Sequence, residues 1–207
     1  MIEIIQKKLE QIKDTGLPGI KAHKVMAPKL GEEFFRNMIP PATVRKSSVL
    51  IPILSSQNDV EILFTQRSTK LKHHGGQISF PGGRIEDGET PMEAALRETY
   101  EEIGIPKDGV EVYGKISDLY VEPSNNIIYP FIAELKTNQL YNPSYDEVEK
   151  IIIVPLNYFI DPNNRKKQKR IISGTEVEMP FWDIGSEAPL WGATAMILQE
   201  FIEIVTS

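Results

Sequence analysis

The stretch Gly83-Arg-Ile-Glu-Asp-Gly-Glu-Thr-Pro-Met-Glu-Ala-Ala-Leu-Arg-Glu-Thr-Tyr-Glu-Glu-Ile-Gly-Ile105 carries its own boundary signals. Thr90 is an N-cap residue, Pro91 follows at the first helical position, and Glu93 stands three after the cap, which together make a capping box with proline at N1. Gly104 supplies a left-handed stop and Pro106 prevents continuation. The spacing predicts a helix over 91–103. Met92, Ala95, Leu96, Thr99 and Ile103, three and four apart, form its buried stripe. At about 100° per residue, Glu98, Glu101 and Glu102 gather within roughly a quarter-turn. Like charges at i,i+4 cost an isolated helix roughly 0.2–0.5 kcal/mol, and anions in the last turn oppose the helix dipole. Local physics disfavours this ridge, and a bound cation reverses the sign. Oxygen-only ligands suit Mg²⁺ or Mn²⁺. Magnesium commonly shares its shell with substrate phosphates, so a phosphorylated small molecule is the natural partner. The bland alternative is a solvated acidic helix face.

Outward from this helix, the runs 48–54 and 60–67 read as strands joined by the turn cluster Ser55-Ser-Gln-Asn-Asp59. Residues 110–117, 127–135 and 149–154 read as further strands, and 171–177 as another. The basic run Arg165-Lys-Lys-Gln-Lys-Arg170 reads as a loop. Ile2, Ile5, Leu9 and Ile12 place an amphipathic helix over 2–14, stopped by Gly16-Leu-Pro-Gly19. Phe34, Phe35 and Met38 suggest a short packed helix before Pro40-Pro41, and residues 192–205 close the chain as a helix. Strands interleaved with helices, without a repeat, indicate an α/β or α+β sandwich around one mixed sheet. Residues 1–47 form an N-terminal helical extension on a main domain of 48–207.

The chain has 207 residues, enough for one domain with a sizeable core. It contains no cysteine, which excludes disulfides, thiolate zinc sites, iron–sulfur clusters and cysteine nucleophiles. Its three histidines, His23, His73 and His74, make a three-histidine metal site hard to build. A net charge of −6 gives no support to non-specific nucleic-acid binding. No apolar run approaches the roughly 18–20 residues that span a bilayer, and the N-terminus lacks the order of a signal peptide. No membrane or nucleic-acid partner is expected, and the expected location is the cytoplasm. A homodimer is compatible with this size, with the N-terminal helix serving an interface or capping the monomer's core.

The helical segment resembles the Nudix box, which asks for Gly, five residues, Glu, seven residues, Arg-Glu, an aliphatic, any residue, Glu-Glu, any residue, Gly and an aliphatic. Gly83, Glu89, Arg97, Glu98, Glu101, Glu102, Gly104 and Ile105 stand at the required positions, and Thr99 replaces the aliphatic. The resemblance implies a Nudix-type α/β/α sandwich around a mixed β-sheet. It implies that Glu98, Glu101 and Glu102 bind Mg²⁺ or Mn²⁺, with a backbone carbonyl near Gly82 or Gly83 completing the shell. It also implies that Arg97 and Glu89 hold the loop–helix geometry through an ion pair. The reaction implied is metal-dependent hydrolysis of a diphosphate. A catalytic base outside the box is implied as well: Glu122, Glu147 and Glu149 are candidates, Glu147 preferred because Asp146-Glu147-Val148-Glu149 precedes a buried strand, and His73 or His74 could serve instead.

Upstream, Leu63-Phe-Thr-Gln-Arg-Ser-Thr-Lys-Leu-Lys-His-His-Gly-Gly-Gln-Ile-Ser-Phe-Pro-Gly-Gly83 is similar to the signature of the coenzyme A pyrophosphatase branch of Nudix enzymes. Thr65, Arg67, Ser68, Gly76, Phe80, Pro81, Gly82 and Gly83 match it; Phe64 replaces a leucine. Lys72 replaces an arginine, keeping the charge and losing the planar fork. Trp191-Gly192-Ala-Thr-Ala195 also looks like this branch. Coenzyme A carries a 3′-phosphate besides its diphosphate, so its site needs positive charge beyond the metal. Arg67, Lys70, Lys72 and the two adjacent histidines offer it, and Arg67, Lys70, Lys72 and Phe80 are the expected substrate-binding residues. The basic run 165–170 could attract a 3′-phosphate, RNA or an acidic partner, or stand as a solvated loop tip. Trp182 and Trp191 could stack on adenine, although core aromatics are commoner; Trp191 is expected in the core. Products would be 3′,5′-ADP and 4′-phosphopantetheine, or its acyl form. The alternatives are a Nudix hydrolase of another nucleoside diphosphate derivative, such as ADP-ribose or a dinucleotide, and a Nudix-fold binding module without catalysis.

Overall fold

Two helices open the chain, α1 (Ile2–Thr15) and α2 (Ile20–Met26), followed by two-residue strands β1 (Lys29–Leu30) and β2 (Glu33–Phe34). This computed structural model describes residues 2–30, 33–34, 39–56, 59–71, 74–136, 140–172 and 174–207. Next come β3 (Arg45–Ser55), β4 (Val60–Arg67), β5 (Ile78–Ser79) and β6 (Gly82–Arg84), leading into α3 (Pro91–Ile103). β7 (Val110–Lys115), β8 (Leu119–Val121), β9 (Asn126–Leu135) and β10 (Val148–Pro155) precede the short α4 (Leu156–Ile160). β11 (Arg165–Ile172), β12 (Thr175–Trp182), β13 (Leu190–Trp191) and α5 (Gly192–Thr206) complete the order.

The larger sheet runs β10-β4-β3-β9-β7, with β5, β6 and β8 pairing off this path. β3 and β9 lie parallel and the other pairs antiparallel, so the sheet is mixed. Period-two alternation sorts its residues to two faces. Leu50, Leu63, Phe131, Ala133 and Leu135 meet Ala95 and Ile103 of α3 on one side. Ile51, Ile53, Ile62, Phe64 and Ile132 meet Ile5 and Leu9 of α1, Met26 of α2 and Phe201 of α5 on the other. The result is the α/β/α sandwich. Burying each such side chain stabilises by roughly 1.5–3 kcal/mol, and α1 and α2 share that core rather than standing apart from it. α5 buries nearly its whole length, Ala195 to Ile202 and Ile204, as a helix apolar on most sides must.

Three expectations are corrected. A second sheet exists, ordered β11-β12-β1-β2 with β13 on β12. The basic run 165–170 is not a loop but most of β11, an edge strand whose lysines face acids across the ladder: Lys166–Asp183 at 3.1 Å, Lys167–Glu178 at 2.8 Å and Lys169–Glu176 at 2.9 Å. Glu33–Phe34 is strand rather than helix, because β2 pairs with β1; Phe35 and Met38 lie outside the described residues.

Candidate active site

α3 begins and ends where its caps dictate. Thr90 accepts from the Glu93 N–H, Glu93 accepts from the Thr90 N–H, and Gly104 takes the left-handed conformation at φ 77°. The buried face is Ala94, Ala95, Leu96, Thr99, Glu102 and Ile103. Met92 is 41 % exposed instead of buried, because the contact of α3 with the core begins only at Ala94 and Ala95.

The three glutamates occupy different environments. Glu101 is half exposed, the Glu98 side chain is 14 % exposed, and that of Glu102 only 2 %. A solvated acidic face therefore does not describe Glu102. Its carboxylate has two long contacts, 3.5 Å from Arg67 Nη1 and 3.4 Å from the Gly82 N–H. Burial pushes its pKa up to about 8; Arg67 and the Gly82 N–H oppose this, while the charges of Glu98 and Glu147 add to it. Burial likewise raises Glu98, against the opposing pull of Arg97. A buried, incompletely compensated acid is costly.

The strand β6 sets the floor. It pairs with β3, Ser48 opposite Gly83, and passes so close under α3 that a Cβ on Gly83 would stand 2.4 Å from the Glu98 carboxyl. A side chain there would push the Glu98 carboxyl from its place over the strand. One on Gly82, at φ 152°, would meet the Ser48 carbonyl at 2.3 Å, a backbone position that requires glycine. Arg97 ties loop to helix: its guanidinium donates to Glu89 at 2.9 and 3.1 Å, to Glu98 and Glu101 at 3.0 Å each, and to the Arg84 carbonyl at 3.0 Å. The Arg97 hydrogen bond holds the Glu89 carboxyl below its ordinary value. Among the described residues the acids are not gathered into a three-ligand group. Arg97 Nη1 bridges Glu98 and Glu101 and supplies positive charge between them.

Glu147 comes from a loop that closes on the end of α3. The Asn142 and Ser144 N–H groups donate to the carbonyls of Ile103 and Glu102, and the Glu147 N–H donates to Ser144. These bonds satisfy carbonyls that a helix end leaves orphaned, and they bring Glu147 within electrostatic reach of both Glu98 and Glu102. A cleft of about 320 Å³ lies at this junction, beside Glu101. Glu149 accepts from the Thr69 N–H, and Glu122 opens a one-turn helix after β8.

Of the expected substrate-binding residues, Arg67 reaches Glu102 and Lys70 is exposed on the following loop. Phe80 is corrected: it is 2 % exposed and stacks on Phe64 at 5.0 Å, so its side chain belongs to the core. Lys72 and His73 lie outside the described residues. Trp182 is core, edge-on to Phe159, and Trp191 is half-buried beneath Arg170. Gln77, outside the expected set, bonds His74 at 2.9 Å; its signal is a His three residues before a Gln around two glycines.

The NUDIX domain family model matches residues 44–173, well over half of the chain. The chain belongs to the Nudix family. Among Nudix relatives, a probable nudix hydrolase of Schizosaccharomyces pombe is 32 % identical over 162 residues, covering 78 % of this chain and 56 % of its own length. The peroxisomal coenzyme A diphosphatase of Mus musculus is 36 % identical over 135 residues, covering 65 % of this chain and 57 % of its own. The chain thus spans little more than half the length of these two relatives. A Nudix hydrolase structure from M. smegmatis shares the fold, with a TM-score of 0.56 at 17 % identity over 78 % of this chain and 86 % of that one. Among the described residues, no helix is long and apolar enough to cross a membrane.

Proposed function

We propose that this Nudix chain is a divalent-metal-dependent hydrolase that cleaves the diphosphate of coenzyme A or its thioesters, giving 3′,5′-ADP and 4′-phosphopantetheine or its acyl form. The observation that carries the reading is Glu102, an acid buried beside Glu98 over the glycine floor of β6 with only two long contacts. Carboxylate oxygens and a backbone carbonyl are a donor set suited to Mg²⁺ or Mn²⁺. Glu98, Glu101, Glu102 and the Gly83 carbonyl would hold the ion, which, when bound, supplies Lewis acidity toward a phosphoryl oxygen. The chain's own groups do the rest. Glu147 takes the proton of the attacking water at its carboxylate. Arg97, fixed by Glu89, sets the loop against the helix, and Arg67 with Lys70 faces the anionic substrate.

The choice of coenzyme A is supported by the match of Arg67, Ser68 and Gly76 to that branch, and by the likeness to the mouse relative, whose name states that activity. Purified protein incubated with coenzyme A and Mg²⁺ or Mn²⁺ is expected to yield the two products on chromatography. Turnover of ADP-ribose or a dinucleotide with coenzyme A untouched would transfer the assignment to another diphosphate. No turnover of any of them would leave a binding module.

A further inference from the structure

The loop after β4 holds a histidine in a conformation that side chains seldom adopt. His74 has φ 59°, in the left-handed region, although its neighbours Gly75 and Gly76 would enter that region at lower cost. Strain retained at a residue with a chemically versatile side chain points to use of that side chain. The ring is held: Nδ1 lies 2.9 Å from Gln77 Oε1, and the Gln77 N–H donates to the His74 carbonyl at 3.1 Å. An amide oxygen accepts only, so Nδ1 carries a proton, and Nε2 faces outward, where the imidazolium form of the ring presents a second N–H to an anion. Among the described residues, Nε2 has no partner, and His74 is exposed.

The register says which way this pair faces. Thr65 stands opposite Ser79 and Gln66 opposite Ile78, and the Arg67 N–H donates to the Gln77 carbonyl at 2.9 Å. Arg67 and Gln77 are therefore cross-strand neighbours, whose side chains share a face. The shared face is confirmed two residues back, where the Thr65 and Ser79 hydroxyls meet at 3.3 Å. The Gly76 N–H donates to the Arg67 carbonyl with Gly76 at φ 74°, a glycine bulge that turns the chain at this point. Arg67 in turn contacts Glu102. The loop is fastened on its other side by the Ser68 N–H to the Glu147 carbonyl at 2.8 Å and the Thr69 N–H to Glu149. His74 thus stands at the rim of the carboxylate site, on the side that Arg67 makes positive.

Resting on the function proposed above, we propose that His74, oriented by Gln77, is a specificity-determining residue that, as the imidazolium, donates its Nε2–H to a phosphate oxygen of the nucleoside diphosphate substrate. Gln77 is its positioning residue. The test measures binding of the non-hydrolysable methylene-bridged analogue of ADP, with Mg²⁺, to the wild type and to H74N, H74G and Q77M. It also follows the imidazole NMR signals, that of His74 being assigned by its loss in H74N. Asparagine and glycine both accept the left-handed conformation, so both variants keep the loop and melt at or above the wild-type temperature. The analogue is expected to shift the His74 signal and to bind H74N and H74G about tenfold more weakly, the size of one charge-assisted hydrogen bond. Q77M is expected to fall between, because an unoriented ring still reaches the phosphate part of the time. Wild-type affinity in both H74N and H74G overturns the His74 role and leaves the diphosphate reading standing. Failure of the wild type to bind the analogue overturns that reading and the role with it.

Discussion

Glu102 links the chemistry of the site to the stability of the whole chain. Its carboxyl is raised to about 8, chiefly by burial, so the folded protein keeps this proton at pH values where the unfolded chain has lost it. Stability of the metal-free protein therefore falls as pH climbs from the ordinary 4.5 through about 8. Glu102→Gln is expected to flatten that slope in thermal melts from pH 5 to 8, and to reduce turnover to background while the fold persists. A slope unchanged in the variant would place the titrating group elsewhere. Mg²⁺ or Mn²⁺ is expected to raise the wild-type melting temperature most near pH 8, where the acid is charged, and to lose that effect in the variant. Sequence spacing identifies Glu98, Glu101 and Glu102 as a group. Their inequality was not legible, because it comes from β6 and β4 passing over two of them, and no local pattern announces which strand covers which side chain.

At the scale of elements, α3 was legible almost to the residue because each of its signals is local: cap, proline, stripe and terminal glycine lie within one short stretch. Thr90→Ala removes the acceptor for the Glu93 N–H, and is expected to cost about 1 kcal/mol, read as a lowered midpoint in urea unfolding. Activity per folded molecule should remain, since the cap lies at the far end of the helix from Glu102. β11 was illegible for the opposite reason. A run of five basic residues in six has neither strand alternation nor apolar content, and its strand character comes from pairing with β12, whose Glu176 and Glu178, with Asp183 just beyond, offset the lysines. Phe80 shows the same limit. A signature marks the position, and only the stacked Phe64 reveals that the ring faces the core.

Across the whole molecule, the N-terminal helices are secured by a pair that no local reading could find. His23 Nε2 and Glu200 Oε2 lie 2.9 Å apart, 177 residues distant in sequence and both buried. Glu200 also accepts from the N–H groups of Gly19 and Ser117. Burial works to raise this carboxyl, but the bonds from His23, Ser117 and Gly19 together outweigh it and leave it below its ordinary value. Its contribution is therefore present above pH 4.5 and lost as pH falls through the lowered value. His23→Ala is expected to cost roughly 3 kcal/mol, as removal of one partner of a buried pair does; a loss below about 0.5 kcal/mol by urea unfolding, the size of an ordinary surface change, would show that the pair holds nothing. The outer rim of the second sheet is blunted by charged side chains instead. β11 ends that sheet with lysines and arginines along it, and a foreign strand seeking its unpaired amides would have to lie against that fence of charge. Growth of a fibre along that rim would require stripping water from those charged groups, which disfavours it.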